Sequence, residues 1–213
     1  MPMDPKEKVS FIIDTLKARY PLAECTLSYD KAYELLFATR LAAQCTDARV
    51  NLVTPVLYAR YPTLADIAQA DVADVEKIIA SCGLFHTKAR DIVACAQVLV
   101  SEYGGIVPDT VEELVKLPGV GRKTANLIVG DVFKKPAIVT DTHCIRIANR
   151  LGLADTKDPY KVELALRAVV PPEEGSDLCH RFVMFGRDVC TARNPACEGC
   201  PLMAVCREHG ADV

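Results

Sequence analysis

The chain has 213 residues, half of them apolar, so it can bury a substantial core as one large domain or two small ones. No apolar stretch approaches the roughly 20 residues that cross a bilayer, and the first residues lack the basic and then apolar order of a secretory signal, so we expect a cytoplasmic, intracellular protein without a membrane partner. The net charge of −3 argues mildly against a nucleic-acid partner, because non-specific affinity for DNA comes largely from lysine and arginine.

Apolar residues recur at helical spacing along most of the chain. The pairs Asp4-Pro5 and Asp158-Pro159 each precede such a pattern and are typical of a helix N-cap followed by a first-turn proline. Further helices are predicted at about 30–44, 47–60, 71–81, 87–103, 110–117, 122–132, 142–151 and 176–190. Because the alternation that is typical of strands is scarce, the sequence predicts an all-α fold.

The sequence contains no repeat, no low-complexity tract and no long flexible linker. Any division into domains must therefore lie in a short joint, and Lys134-Lys135-Pro136 is one candidate. This organisation favours a compact body of two lobes over domains that are joined by flexible chain.

Positive charge is concentrated in one part of the sequence. The window from Gly119 to Arg150 has a charge of +4, which leaves −7 for the rest of the chain. Its six basic residues are Arg122, Lys123, Lys134, Lys135, Arg146 and Arg150, and its two acidic residues are Asp131 and Asp141. The window indicates either a solvated helical face or a surface for an anionic partner.

A short segment inside this window has the pattern of an anion-binding turn. Residues 117–125, Leu-Pro-Gly-Val-Gly-Arg-Lys-Thr-Ala, lie between two helical patterns, and Gly119-Val120-Gly121 allows a tight turn with exposed backbone amides. Such amides suit a phosphate. A plain helix-helix connector is the alternative, but Arg122 and Lys123 favour phosphate binding. The segment closely matches the helix-hairpin-helix motif of DNA-binding proteins.

Lys123 is the candidate nucleophile of this segment. It lies in the first turn of a predicted helix, where the helix dipole, Arg122 and desolvation in a closed cleft would all favour a neutral amine. An ordinary surface lysine, or one that contacts a phosphate, is the alternative interpretation.

A carboxylate that could work with this amine follows in Val139-Thr140-Asp141-Thr142-His143. Because Asp141 ends an apolar run and precedes a helical pattern, we expect it to cap that helix. If Asp141 also faces Lys123 across a cleft, its charge could stabilise the cation that develops on a deoxyribose and relay a proton.

The cysteines fall into two groups. Cys190, Cys197, Cys200 and Cys206 follow the pattern C-x6-C-x2-C-x5-C in a segment that is rich in proline and glycine, which strongly indicates a metal site. Both a structural zinc ion and an iron-sulfur cluster take four cysteine thiolates, and the spacing leaves both open. The other six are predicted to be buried as small apolar side chains: Cys25, Cys45, Cys82, Cys95, Cys144 and Cys179.

Three features together resemble those of the endonuclease III family of bifunctional DNA glycosylases and apurinic-site lyases. They are the hairpin with its lysine, the Val-Thr-Asp-Thr-His segment and the 6-2-5 spacing of the clustered cysteines. Two further segments, Leu-Ala-Ala-Gln-Cys-Thr-Asp at 41–47 and Gly-Leu-Phe-His-Thr-Lys-Ala at 83–89, extend the resemblance over nearly the whole chain. It implies a helical lobe at 25–135, with the helix-hairpin-helix at about 110–132. Residues 1–24 and 136–213 would form a second helical lobe that carries a [4Fe-4S] cluster at 190–206, with DNA in the cleft between the lobes.

The resemblance also implies roles for individual residues. Lys123 and Asp141 fall on the catalytic positions, and the four clustered cysteines would be the ligands of the cluster. Gln44 and Leu84 would enter the space that a flipped nucleotide vacates. Further DNA contacts would come from Gly119, Val120, Gly121, Arg122, His143 and Arg193.

The function implied is base-excision repair. A monomer would bind double-stranded DNA with damaged bases or abasic sites, remove oxidised pyrimidines, and cut the strand 3′ to the abasic site by β-elimination through a lysine Schiff base. Two alternatives are an adenine-type glycosylase of the same superfamily and a non-catalytic helix-hairpin-helix module that only holds DNA. The acidic net charge departs from the basic character of many relatives and leaves the affinity for DNA open.

Overall fold

The computed structural model of the protein describes residues 4–209, which form eleven α-helices, four short 3₁₀ turns and no β-strand. The α-helices are α1 (Pro5–Arg19), α2 (Ala32–Ala42), α3 (Asp47–Arg60), α4 (Leu64–Ala68), α5 (Val72–Ile79), α6 (Phe85–Glu102), α7 (Val111–Leu114), α8 (Arg122–Asp131), α9 (Thr142–Arg150), α10 (Pro159–Val169) and α11 (Gly175–Asp188). The 3₁₀ turns are Ala80–Cys82, Pro172–Glu174, Met203–Val205 and Arg207–His209. The predicted all-α class is confirmed.

Side-chain caps fix where several of these helices begin. Asp4 accepts hydrogen bonds from the first-turn amides of α1, Thr46 caps α3, and Asp158 caps α10 ahead of Pro159. Each cap satisfies an amide that has no partner inside its helix, and each contributes about 1 kcal/mol. This is why α1, α3 and α10 begin where the sequence predicts.

Helix ends and short helices differ more from the prediction. Helix α4 was not predicted, because it has only five residues and its two buried apolar side chains, Leu64 and Ile67, are too few to show a period. Helix α7 ends at Leu114 rather than near 117. Tight bonds from Lys116 N–H to the Glu113 carbonyl and from Leu117 N–H to the Leu114 carbonyl lead the chain into Pro118, which disfavours helix in the residue before it.

Contacts within the chain define two units, one formed by residues 25–133 and the other by the N-terminal segment up to Glu24 with the chain from Lys134 onward. In the first unit, α4 and α5 pack against α6, while α2 contacts α3, α6 and α8. Its core is formed by fully buried apolar side chains, among them Leu35, Phe37, Leu57, Ile92 and Ile128.

In the second unit, α1 packs against α10 and α11, and α9 packs against the same two helices. Ile12, Leu16, Ile147, Leu166 and Phe182 are fully buried there. None of the helices in residues 4–209 is long and apolar enough to span a membrane.

The prediction for the six scattered cysteines holds for four of them. Cys82, Cys95, Cys144 and Cys179 are buried, whereas Cys25 and Cys45 are only half-buried. The prediction was wrong for those two because Cys25 precedes the first helix of its unit and Cys45 lies in the turn between α2 and α3, where less structure covers them.

Candidate functional site

The hairpin between α7 and α8 presents backbone rather than side chains. Gly119 has φ 74°, and a Cβ atom there would lie 2.8 Å from the Cβ of Asp91 on α6, so only glycine fits. The N-cap of α8 is Gly121, which has no side chain that could accept from the first-turn amides. Val120 is half-buried between these exposed glycines. The hairpin therefore offers amides at the positive end of a ten-residue helix, an arrangement that suits an anion.

Arg122 and Lys123 are the first two residues of α8, and both are exposed. The Lys123 side chain has no hydrogen bond and no ion pair with any residue in 4–209. Its amine is thus available to a ligand, at the end of the helix where a positive charge is least favoured.

Asp141 caps α9, as predicted. Its side chain is half-buried, and its Oδ1 atom accepts a hydrogen bond of 2.7 Å from the backbone N–H of Cys144. Among the described residues, Oδ2 has no hydrogen-bond partner. One carboxylate oxygen is therefore fixed by the helix, while the other can face a ligand.

The first turn of α9 also orients His143. Nη2 of Arg146 lies 3.1 Å from Nδ1 of His143, and because arginine can only donate, Nδ1 is the acceptor. With Nδ1 as the acceptor, the ring carries a proton on Nε2. Arg146 also donates to the carbonyl oxygens of Gly186 and Cys190, at 3.2 and 2.9 Å, so His143 is held by a residue that is itself fixed.

Gln44 and Leu84 share an unusual backbone conformation. Both are exposed, and both have positive φ values, 55° and 47° respectively, although neither is a glycine. Leu84 exposes 56% of its surface. A left-handed backbone at a non-glycine residue costs roughly 1–3 kcal/mol and is concentrated at sites of function. The sequence alone carried no signal of this strain.

The four clustered cysteines line one pocket. Cys190, Cys197, Cys200 and Cys206 share it with apolar side chains that include Ile147, Leu151 and Phe185. Burial and the neighbouring cysteines raise the pKa of the Cys200 and Cys206 thiols. A cationic iron centre that replaces the thiol protons would remove this cost, so the donor set fits a metal cluster.

Two arginines of α9 link the cysteine pocket to the helix that Asp141 caps. Arg150 donates from Nη1 to the Sγ of Cys190 at 3.2 Å and to the carbonyl of Thr191 at 2.9 Å, while Arg146 holds the Cys190 carbonyl. Sequence reasoning did not identify these contacts, although the spacing of 146 and 150 places both on one helix face. Arg193 is exposed on the loop between the first two cysteines.

The site residues thus fall into two sets. The hairpin, Lys123, Gln44 and Leu84 belong to the unit of residues 25–133, whereas Asp141, His143, Arg193 and the cysteine pocket belong to the other unit.

Comparison with known proteins identifies the family. Residues 37–172 match the HhH-GPD superfamily of base excision DNA repair proteins, and residues 190–206 match the iron-sulfur binding domain of endonuclease III. Endonuclease III of Bacillus subtilis is 42% identical over 95% of this chain and 93% of its own length. Endonuclease III of Escherichia coli is 37% identical over 94% and 95% of the two chains.

A solved structure of a trapped endonuclease III-DNA covalent intermediate superposes with a TM-score of 0.90 at 42% identity, covering 97% of this chain and 98% of that one. With the match of residues 190–206, the chain has an iron-sulfur binding domain that carries a [4Fe-4S] cofactor. From these matches, which span nearly its whole length, we conclude that the chain belongs to the endonuclease III family.

Proposed function

We propose that Lys123 and Asp141 carry out the DNA glycosylase and AP lyase activity of this base-excision repair enzyme. The observation that carries the proposal is the exposed amine of Lys123, which lies in the first turn of α8 beside a hairpin with two exposed glycines and has no partner in residues 4–209. One similar structure is a trapped covalent intermediate with DNA, and a covalent intermediate requires a nucleophile on the protein.

The proposed first step is attack of the Lys123 amine on C1′ of the damaged nucleotide. The bond from C1′ to the base breaks with its electron pair on the base, and the attached amine gives up one proton. The C1′–O4′ bond of the sugar ring then breaks with its electron pair on O4′, which takes up a proton, and a protonated Schiff base between Lys123 and C1′ remains. Loss of a proton from C2′ then expels the 3′ phosphate, which breaks the strand by β-elimination. We expect oxidised pyrimidines as substrates.

The proposed task of Asp141 is electrostatic. Its Oδ2 atom has no partner among the described residues, so it can stabilise the positive charge on the sugar as the base departs and accept the proton that the amine releases. The other oxygen, which holds the amide of Cys144, keeps the carboxylate oriented during this step.

DNA recognition is proposed to use both units on one double-stranded substrate, bound by a monomer. The amides of Gly119, Val120 and Gly121 and the side chain of Arg122 would hold phosphates on one side of the lesion. His143 and Arg193 would contact the backbone from the other unit. Gln44 and Leu84 would fill the space of the flipped nucleotide, in keeping with their exposure and strained backbone.

The [4Fe-4S] cofactor is proposed to bind to Cys190, Cys197, Cys200 and Cys206, the four cysteines of the pocket. When bound, the cluster would hold together residues 190–206, a segment without α-helix. Arg146 and Arg150 of α9 donate hydrogen bonds to the backbone carbonyls of Cys190 and Thr191. A segment fixed in this way would restrain α9 and, with it, Asp141. The adenine-type and non-catalytic alternatives are not favoured.

Trapping of the Schiff base tests the proposal. Incubation with abasic-site DNA and borohydride should give a covalent adduct with the wild type and none with Lys123→Ala. Lys116→Ala, which removes another exposed lysine just before the hairpin, is the matched control and should still form the adduct. An adduct that persists in Lys123→Ala, or that never forms with the wild type, would contradict the proposed role of Lys123.

A further inference from the structure

Lys88 on α6 is a charged residue that the mechanism does not use. It is fully buried, with a relative exposure of 0%, and its ammonium donates to the backbone carbonyls of Leu41 and Cys82, each at 2.8 Å. A lysine is almost never buried in this way unless its charge is compensated. Its two hydrogen bonds therefore point to a specific task.

The two carbonyls belong to the two segments that end in strained residues. Leu41 lies in the last turn of α2, where carbonyls have no intrahelical partner, and it stands three positions before Gln44. Cys82 ends the 3₁₀ turn that leads through Gly83 to Leu84. One ammonium thus joins the segments that carry Gln44 and Leu84.

Both segments need an external restraint, because their backbone conformations are unfavourable. Gln44 has φ 55° and Leu84 has φ 47°, and neither is a glycine. Strained conformations of this kind persist only where the surrounding structure fixes them. The side chain of Leu84 is exposed and makes no cap hydrogen bond, so the restraint must act on the backbone before it.

The energetics of Lys88 support a positioning task over a purely structural one. Desolvation by burial lowers the pKa of its ammonium, against an opposing effect of Cys45 and Cys82. An apolar side chain would fill the same volume without this desolvation cost. What an apolar side chain cannot do is donate to two carbonyls from different segments at once.

The same helix also fixes the hairpin. Asp91, one turn after Lys88, accepts from Nε of Arg40 at 2.7 Å and lies against Gly119. Arg40 is the neighbour of Leu41 in α2. The buried face of α6 therefore connects the Gln44 segment, the Leu84 segment and the hairpin within one unit.

We infer that Lys88 is a positioning residue for base excision, whose ammonium holds the Gln44 and Leu84 segments at a fixed separation so that both side chains can enter the DNA together. This inference rests on the proposed function of Gln44 and Leu84. Lys88 itself does not contact the substrate.

The test compares Lys88→Met with the wild type on abasic-site DNA in duplex and in single-stranded form. Only in a duplex does an opposite strand border the vacated space that Gln44 and Leu84 must enter, whereas Lys123 can react with either form. Borohydride trapping by Lys88→Met should be roughly 10- to 100-fold slower on the duplex and nearly unchanged on the single strand. A 2-aminopurine opposite the abasic site should lose its fluorescence increase in this variant, as it should in Leu84→Ala.

A double-mutant cycle separates positioning from general destabilisation. If Lys88 acts through Leu84, the Lys88→Met change should cost less than about twofold when Leu84→Ala is already present. Lys88→Arg keeps the charge and several donors, so it should restore part of the duplex rate. Should Lys88→Met not fold, Lys88→Gln, which keeps one N–H donor group, takes its place in the same comparison.

The outcomes are distinct. Equal losses on duplex and single-stranded DNA, or full additivity with Leu84→Ala, would overturn the positioning role. If Leu84→Ala leaves the 2-aminopurine signal unchanged, the proposed role of Leu84 fails, and the inference fails with it. If the wild type forms no adduct with either DNA, it is the proposed Lys123 chemistry that is wrong.

Discussion

Asp141 combines a structural and a proposed chemical task on its two carboxylate oxygens. Oδ1 caps α9 through the amide of Cys144, and Oδ2 has no partner in the described residues. The sequence predicts the cap, because Asp141 precedes a helical pattern, but a cap alone gives no sign of catalysis. From the residues alone, the second task was a hypothesis that required Asp141 to face Lys123 across a cleft, and the resemblance to the family then placed Asp141 on a catalytic position.

Replacing Asp141 by asparagine should separate these tasks. Asparagine caps a helix about as well as aspartate, so Asp141→Asn should change the free energy of unfolding by less than about 0.5 kcal/mol. It removes the negative charge, so single-turnover excision should fall by roughly 10²- to 10⁴-fold. Thermal denaturation and excision from a lesion-bearing duplex measure the two effects. Asp158→Asn, which changes the cap of α10, is the matched control and should leave excision unchanged.

If Asp141→Asn excised the base at the wild-type rate, the carboxylate would be only a cap. If it lost stability and activity together, the two oxygens would not have separate tasks.

Lys88 shows what residue patterns leave hidden. Its partner, the backbone carbonyl of Leu41, is 47 positions away in the sequence. Because every residue has such a carbonyl, no residue pattern marks this hydrogen bond. A single lysine between His86-Thr87 and Ala89 is ordinarily expected at the surface. Only the fold reveals that this ammonium is buried between two strained turns.

At the scale of elements, prediction worked where local signals agree. Helix α3 begins and ends at the predicted positions, 47 and 60, because Thr46 provides a cap and apolar residues then recur at helical spacing. Helix α6 begins at Phe85, two residues earlier than predicted, since its N-cap is Leu84 in a left-handed conformation that no cap signal marks. The N-cap signals therefore failed at the start of α6, where Leu84 is a proposed DNA contact and backbone strain is expected.

The hairpin between α7 and α8 depends on contact with α6. A Gly119→Ala variant places a methyl group at φ 74° and 2.8 Å from the Cβ of Asp91, so the hairpin must shift away from α6. We expect it to lower the free energy of unfolding by about 1–3 kcal/mol and to weaken DNA binding through the displaced amides. Chemical denaturation and binding to an abasic-analogue duplex measure both.

Gly105→Ala is the matched control for this variant. Gly105 has φ 82° but no neighbour within 4 Å of its potential Cβ atom, so it should show the conformational cost without the displacement of the hairpin. Stability should fall in both variants, whereas DNA affinity should fall only in Gly119→Ala. Equal affinity in the two variants would argue against a role for the hairpin amides.

For the whole molecule, the distribution of charge matters more than its sum. The net charge is −3, but the window from Gly119 to Arg150 carries +4. In the structure, the basic residues of this window fall into two groups. Arg146 and Arg150 donate hydrogen bonds to backbone carbonyls within their own unit. Arg122, Lys123, Lys134 and Lys135 are exposed. The positive charge that is accessible to DNA is therefore smaller than the sequence count suggests.

Salt dependence tests the proposal that both units bind one duplex. Each phosphate contact adds about 0.9 to the slope of log affinity against log salt concentration. Arg122→Ala in one unit and Arg193→Ala in the other should each reduce the slope by about 0.9, and the double variant by about 1.8, because released counterions add when both contacts are made on the same DNA.

Arg60→Ala, which removes an exposed arginine outside the proposed surface, should leave the slope unchanged. Fluorescence anisotropy with an abasic-analogue duplex over a series of KCl concentrations gives the slopes. A slope that is unaffected by Arg193→Ala would show that the loop between Cys190 and Cys197 does not contact the phosphate backbone.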